Sequence, residues 1–384
     1  SLIEEIINVK PVMSESGYFY DFLIKDIEKI KSKNLDVIIR LGSGIIRGEM
    51  LNASKNGIFS FHHGDNLLFR GGPPGFWEVY YSKPLTGFII QKLTSVLDGG
   101  EIIFKGHVET KSNYYLNQAS IFKNSAKYLS KVLEDLRDGK IKFNIEHNDK
   151  VKIFKDPKFL VTIKYLFITY LKLSKKFFNE KIVNKRIRWH VSYKSEENLE
   201  DLKLDNFKVI ENNNKNRFLA DPFALKKDNK NFIFLEDFNF SNKKGVISCF
   251  EVNKNESKFL GPVLEENFHL SFPYIFEYKG KIFMCPETHQ KKEIRIYICE
   301  EFPLKWKFHK TLIKKINSVD TILFEKDKLW WLITSTSNMS TKDFNELNIF
   351  YSENGPLTDT WTAHDLNPIV VNPNIARNGG LITN

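Results

Sequence analysis

ADPFALKKDNKNFIFLED, residues 220–237, returns as SFPYIFEYKGKIFMCPET at 271–288 and as VDTILFEKDKLWWLITST at 319–336. Each copy opens on a small or acidic residue and runs through an apolar strand. It turns on Lys, Asp or Gly, then runs back through a second apolar strand that ends in acidic or hydroxyl residues. The starts lie roughly fifty residues apart, and in a region made only of strands such a period indicates a β-propeller with about four strands per blade. A β-sandwich is also built of short strands, but it gives no reason for one phrase to occur three times. A fourth unit would open at NPNIARNGG, from Asn372.

Outward from the repeat the texture changes. Before Arg188 helical and strand patterns mix. Residues 112–137 carry Ala119, Ile121, Ala126, Leu129, Val132 and Leu136 at helical spacing, and short β-branched runs such as LDVIIRLG (35–42) read as buried parallel strands. The stretch FLVTIKYLFITYLKLSKKFF (159–178) is an amphipathic helix with a wide apolar face. A helix packed between two domains is the expected role, with peripheral contact to a membrane surface as the lesser alternative. The expected organisation is an α/β domain over 1–140, a helical linker over 141–187 and an all-β domain over 188–384.

At 384 residues two domains are the default. The net charge of +10 suits an anionic partner, whether nucleic acid, a phosphorylated small molecule or an acidic membrane surface, and equally suits a lysine-rich solvated face. Three cysteines, Cys249, Cys285 and Cys299, form no CxxC pair and no Cys/His zinc spacing. They sit in apolar runs and are expected to be buried thiols of a cytoplasmic protein without a structural metal. No signal peptide and no run of 18 uncharged apolar residues appears.

A second stretch raises the question of chemistry: GIFSFHHGDNLLFRGG, 57–72, where an apolar run ends in His62 and His63. A histidine at the C-terminal end of a strand in an open parallel sheet sits where such folds bind ligands. Imidazole also moves protons near neutral pH, given a partner to orient it. SVLDGGEIIF, 95–104, offers Asp98 at a loop entering a strand. Gly99 and Gly100 follow, and they let a ligand approach the backbone closely.

GIFSFHHGDNLLFRGGPPGFWE, the later Thr86-Gly87 and LDGGEIIFKG together resemble the catalytic domain of the 10-formyltetrahydrofolate-dependent formyltransferases, over roughly residues 35–106. The resemblance implies an α/β open-sheet domain, with His62 as the catalytic imidazole and Asp98 as the carboxylate that holds it. It implies Arg70 and His63 as substrate contacts, and Gly44, Ile45, Ile46 and Gly99 lining the site of 10-formyltetrahydrofolate. It departs at Ser60, where the family has asparagine. A serine hydroxyl can still donate a hydrogen bond, but it is shorter, so His63 or Asn66 would have to compensate or activity would change. RLGSGIIRG (40–48) also shows Gly-x-Gly after a strand, too little for a dinucleotide fingerprint. Few residues precede it, without a clear first strand, so the domain is expected to be truncated at its N-terminus.

The repeat region resembles the N-terminal domain of plant glucosamine inositolphosphorylceramide transferases and, more distantly, five-bladed propellers of glycoside hydrolases. The carriers are ADPF at Asp221, the phrase ending at Glu287, FPLKW (302–306) and VDTILFEKDKLWWL at Asp320. The resemblance implies that Asp221 and Asp320 face one pocket, with Glu287 near its rim as a further sugar contact. A second-blade aspartate usual in the hydrolases is replaced by Phe272-Pro273. The joined expectation is formyl transfer to an amino group on a sugar or sugar-containing precursor, with the five-bladed-propeller-like domain, incomplete at its C-terminus, selecting the glycan. No specific nucleic-acid partner is expected, because the propeller stands where methionyl-tRNA formyltransferases carry a tRNA-gripping barrel. The alternative is a carbohydrate-active or carbohydrate-binding propeller beside an inactive formyltransferase-like domain.

Overall fold

A computed structural model describes residues 5–42, 44–95, 99–145, 152–182, 186–194, 205–212, 214–337 and 343–381. Its contacts divide into two compact units, Ser1–Phe178 and Asn179–Asn384. The segment expected as a linker, 141–187, is split between them.

The first unit opens with strands β1 (Val12–Met13) and β2 (Phe19–Asp21), helix α1 (Ile24–Lys31), and strands β3 (Ile38–Arg40), β4 (Ile45–Ile46) and β5 (Ile58–His62). It continues with β6 (Arg70–Gly71), α2 (Phe76–Tyr80), β7 (Leu85–Lys92), β8 (Glu101–Glu109), α3 (Tyr114–Ala126), α4 (Tyr128–Arg137), β9 (Ile153–Phe154) and α5 (Phe159–Phe177). The principal sheet has the order β3-β5-β7-β8, and a smaller one the order β1-β2-β4. The expected parallel sheet is corrected to a mixed one. Only β3 and β5 run parallel, while β5–β7 and β7–β8 are antiparallel. For β7 and β8 the reason is connection length: residues 93–100 cannot provide the crossover of about a dozen residues or more that a parallel neighbour requires. A short strand, β2, does precede α1, but it lies in the smaller sheet, where it pairs in parallel with β4.

One core cluster of this unit joins α1 and β5 through the segment between β4 and β5: Ile27, Met50, Ala53 and Ile58 are buried together. α3 starts where the Asn113 side chain accepts from the Leu116 N–H at 3.0 Å, satisfying one of the free donors of the first turn. Helix α5 has a single buried residue, Tyr165, packed with Phe76 and Val79 of α2. Its hydroxyl accepts from the Tyr114 N–H at 2.8 Å. The helix expected to serve as a packed linker is thus held inside the first unit by one face.

In the second unit β10 (Ser192–Tyr193) pairs with β11 (Lys208–Val209). Three consecutive antiparallel meanders follow. The first is β12 (Arg217–Lys227), β13 (Lys230–Asn239), β14 (Lys244–Val252) and β15 (Ser257–Leu264). The second is β16 (Ser271–Tyr278), β17 (Lys281–Glu287), β18 (Glu293–Glu301) and β19 (Lys305–Lys314). The third is β20 (Ser318–Lys326), β21 (Leu329–Thr336), β22 (Glu346–Ser352) and β23 (Thr362–Ala363), with β24 (Val370–Val371) also on β22.

The repeated phrase is the first hairpin of each meander. Its turns, Asp228-Asn229, Lys279-Gly280 and Asp327-Lys328, all have both central residues at positive φ. That is the two-residue hairpin geometry whose twist matches the flanking strands. Phe234, Ile247 and Leu270 pack with Met284 and Trp306 across the first two meanders. Phe272, Cys285, Ile296 and Leu323 do so across the second and third. The cysteines are all free. Cys249 and Cys285 are buried, whereas Cys299 is only half-buried, at the margin of the first cluster. The expected fourth opening, from Asn372, carries no strand among the described residues; its Arg377 and Asn378 close instead on Asp320.

Candidate functional site

In the first unit, Ser60 and His62 lie two residues apart on β5 and therefore on the same face of the sheet. Arg40 is the register partner of Ser60 on β3, and its Nη1 donates to the Ser60 Oγ at 3.1 Å. A second guanidinium nitrogen donates to the Gly44 carbonyl. Burial holds the Arg40 guanidinium below its usual value, but it stays a cation at any ordinary pH. These residues border a cavity of about 1160 Å³, whose walls include Tyr20, Ile45, Phe122 and Phe154. A smaller one of about 120 Å³ shares Arg40, Gly44, Ser60 and His62 and adds Ile46.

Gly44 is required here twice over. Its φ is +82°, and a Cβ would stand 1.7 Å from the Tyr20 ring. The Thr86-Gly87 pair also has a packing reason. The Thr86 hydroxyl is held by Asn117 Nδ2 at 2.9 Å, and Gly87 lies so close to Asp65 that a Cβ would meet its Cα at 3.0 Å. Asp65, in the loop after the two histidines, takes His107 Nε2 at 3.1 Å and Lys105 Nζ at 3.7 Å. Burial opposes its charge, but His107, the Leu67 N–H and Lys105 together keep its carboxyl below the usual value.

The other expected residues fall as follows. Asp98 lies outside the described residues. Gly99 accepts the Thr94 hydroxyl at 3.0 Å through its carbonyl, and it is Gly100 that borders the smaller cavity. Arg70 is buried in β6 and is not a wall residue of either cavity, because β6 pairs with β9 and turns it inside. His63 borders the large cavity, with its Nε2 3.0 Å from the Ser125 hydroxyl and its ring edge-to-face with Phe122. Burial and then the neighbouring His62 push its pKa down to about 4, so it is neutral at pH 7. The side chain that touches Ser60 is that of Arg40, which has no signal in the sequence, and the Ser60 hydroxyl in turn donates to the Phe61 carbonyl at 3.3 Å.

In the second unit the first strand of each meander breaks register at the same place: between Ala220 and Phe223, Ser271 and Tyr274, and Val319 and Ile322. The residue after each break-point has left-handed φ: Asp221 at 49°, Phe272 at 44° and Asp320 at 52°. That conformation is strained for a residue with a Cβ, most of all for a bulky aromatic. Across the hairpin, Ala220, Ser271 and Val319 face Glu236, Glu287 and Ser335.

The result is a convergence of carboxylates. Burial, then Asp320 and Glu287, raise the Asp221 pKa to about 6, while the Phe272 N–H partly offsets them. Burial, then Asp221 and Glu287, raise Glu236 to about 8. Burial raises Asp320 as well, against the Arg377 guanidinium paired with it. Glu287 Oε1 lies 2.8 Å from His289 Nδ1, and its side chain is only 10% exposed. The Gly245 N–H donates to His269 Nδ1 at 2.9 Å. This leaves the His269 proton on Nε2, 3.6 Å from Glu236. Asp221 and Glu236 border a cavity of about 410 Å³ with Trp189, His190 and Phe218. Glu236 was missed in the sequence, although it occupies in the first phrase the place of Glu287 in the second.

A pH dependence follows from the two raised carboxyls. Both hold a proton more tightly in the fold than at their ordinary values of 3.8 and 4.5. Their contribution to stability is therefore full at acid pH. It is lost as pH rises through about 6 for Asp221 and about 8 for Glu236. Five of the six tryptophans lie in the second unit, so tryptophan fluorescence follows its unfolding. The urea midpoint is expected to fall from about pH 5 to about pH 9, and Glu236→Gln to flatten the upper part of that fall. A wild-type midpoint constant over this range would contradict the account.

Comparison with known proteins divides along the same line. A family model described as the N-terminal part of glucosamine inositolphosphorylceramide transferase 1 matches residues 204–382. Glucosamine inositolphosphorylceramide transferase 1 of Oryza sativa subsp. japonica is 39% identical over 168 residues, covering 42% of this chain and 22% of that protein. The chain thus spans less than a quarter of that relative. Methionyl-tRNA formyltransferase of Bacillus velezensis is 29% identical over 123 residues, covering 31% of this chain and 39% of that one. Among solved structures, a thermostable family-43 glycoside hydrolase overlaps at a TM-score of 0.32 and 12% identity, covering 40% of this chain and 55% of that one. The chain therefore has a part similar to the inositolphosphorylceramide transferases and a part similar to the formyltransferases.

Proposed function

We propose that the first unit transfers a formyl group from 10-formyltetrahydrofolate to an amino group on a sugar or sugar-containing precursor. The second unit, whose three meanders are blades of a five-bladed-propeller-like fold, selects the glycan. One observation carries the reading: Ser60, His62 and the Gly44–Ile45 wall border one cavity. Its volume of about 1160 Å³ is ample for a folate. Tyr20, Ile45 and Phe154 offer apolar surface for the flat pterin, and Gly44 offers backbone without a side chain in the way.

When bound, the folate supplies the formyl carbon. The amine attacks that carbon and His62 takes the proton it gives up, a transfer suited to imidazole at neutral pH, while the bond from the carbon to the folate nitrogen breaks and that nitrogen takes up a proton. Arg40, whose guanidinium donates to Ser60 at the cavity wall, is the donor this reading assigns to the charge gathering on an acyl oxygen. Asp98 would orient His62 as the family resemblance implies. In the second unit, protonated Glu236 can donate and Asp221 can accept hydrogen bonds from sugar hydroxyls beside Trp189.

A second reading draws on the same cluster. Paired carboxyls with separated pKa values are also what sugar transfer or cleavage uses, and the first unit would then be inactive. The test is direct. Purified protein is incubated with 10-formyltetrahydrofolate and a panel of nucleotide-linked amino sugars, and each acceptor is examined by mass spectrometry for one added formyl group. Calorimetry measures folate binding in parallel. Formylation of at least one acceptor is expected. No product and no folate binding would leave only the second reading.

A further inference from the structure

Helix α5 presents a continuous apolar stripe that none of the described residues of the first unit covers. Phe159, Ile163, Leu166, Tyr170, Leu173 and Phe177 follow one another at spacings of four and three residues, and each is at least 41% exposed. Leu160 and Phe167 widen the stripe and are 77% and 62% exposed. The face that anchors the helix is a different one, represented by Tyr165. An exposed apolar surface of this extent marks an interaction site.

The charge on and beside the helix selects the partner. No Asp or Glu occurs between Asp156 and Glu180, while Lys158, Lys164, Lys172, Lys175 and Lys176 all do. Alongside lies a cavity of about 220 Å³ bordered by Lys83, Lys111, Lys172 and Lys176, with the hydroxyls of Ser82, Thr110 and Ser112. Leu173, a member of the apolar stripe, borders it too. The Lys172 Nζ is 2.6 Å from the Ser82 hydroxyl, and Lys111 pairs at 3.3 Å with Glu109, itself an exposed carboxylate. No carboxylate borders the cavity. Four lysines and three hydroxyls suit a phosphate, and the adjoining apolar stripe suits the chains to which a lipid phosphate is attached.

We propose that α5 and this lysine cavity dock the first unit on an anionic lipid surface, with the helix lying in the interface. No helix among the described residues is long and apolar enough to cross a membrane. A second copy of the chain is the poorer occupant. Heptad spacing would permit helix pairing, but two such helices would set lysine against lysine with no carboxylate to answer them. An acidic headgroup layer over an apolar interior complements both the charge and the stripe.

The test is co-sedimentation of the whole chain with vesicles of phosphatidylcholine alone and of phosphatidylcholine containing phosphatidylserine. Binding to the anionic vesicles is expected to be at least about tenfold tighter and to weaken with salt. Leu166→Glu with Tyr170→Glu, and separately Lys172→Glu with Lys176→Glu, should each abolish it. All four positions are exposed, so circular dichroism should show the fold retained. Equal binding to both vesicles, no binding to either, or displacement by millimolar inorganic phosphate alone would overturn the proposal. So would a dimer in sedimentation equilibrium that the Leu166/Tyr170 pair dissociates, which would assign the stripe to a second copy.

Discussion

In the formyl transfer proposed above, replacing His62 by alanine is expected to lower the rate by about 10²–10⁴-fold while leaving folate affinity nearly unchanged, the signature of a lost general base. The expectation rests on position. His62 ends β5 on the same face as Ser60 and borders both of the cavities that Ser60 borders, while His63 is held by Ser125 and Phe122. The substitution removes a half-buried side chain at a strand end, so the sheet should survive it. The measurement is kcat/KM for the best amino-sugar acceptor, with folate affinity by calorimetry. A variant that keeps wild-type turnover would show that the amine loses its proton elsewhere.

Phe234→Ala is expected to carry the largest stability cost, about 3–5 kcal/mol. The ring is fully buried, and it meets Trp306 at a centroid distance of 5.7 Å and Phe302 at 6.2 Å, both edge-on. Trp306 comes from β19 in the second meander, so truncation opens a void between two sheets that cannot close without moving one of them. The urea midpoint followed by tryptophan fluorescence should fall by more than that of any exposed-site variant. A loss below about 1 kcal/mol would mean that the first two meanders do not pack through this ring.

The hairpins were legible because their signals are local. Turn residues and alternating apolar runs at fixed offset locate the first two strands of each meander without any knowledge of the neighbours. Strands β5, β7 and β8 were legible for the same reason. Strand direction was not. The mixed sheet depends on where β7 inserts, which the apolar runs do not encode, although the short 93–100 connection was available as a clue. Arg40 was invisible for a related reason. Its contact with Ser60 exists only because β3 and β5 are neighbours in a particular register, and a parallel register leaves no mark in either strand. Arg377 meets Asp320 from 57 residues away and had no signal at all. Glu236 did have one. Superposing the first two phrases places it on Glu287, and the register of both hairpins agrees.

The register break shared by the three meanders separates two things that proteins usually change together. Phe272 adopts nearly the same left-handed backbone as Asp221 and Asp320, so the bend is imposed by the hairpin around it and does not depend on which side chain stands there. Aspartate is even the easier tenant of that backbone. The number of acids these hairpins present is therefore set by side-chain choice and not by the bend, at a stability cost that differs between a carboxylate and the buried ring of Phe272.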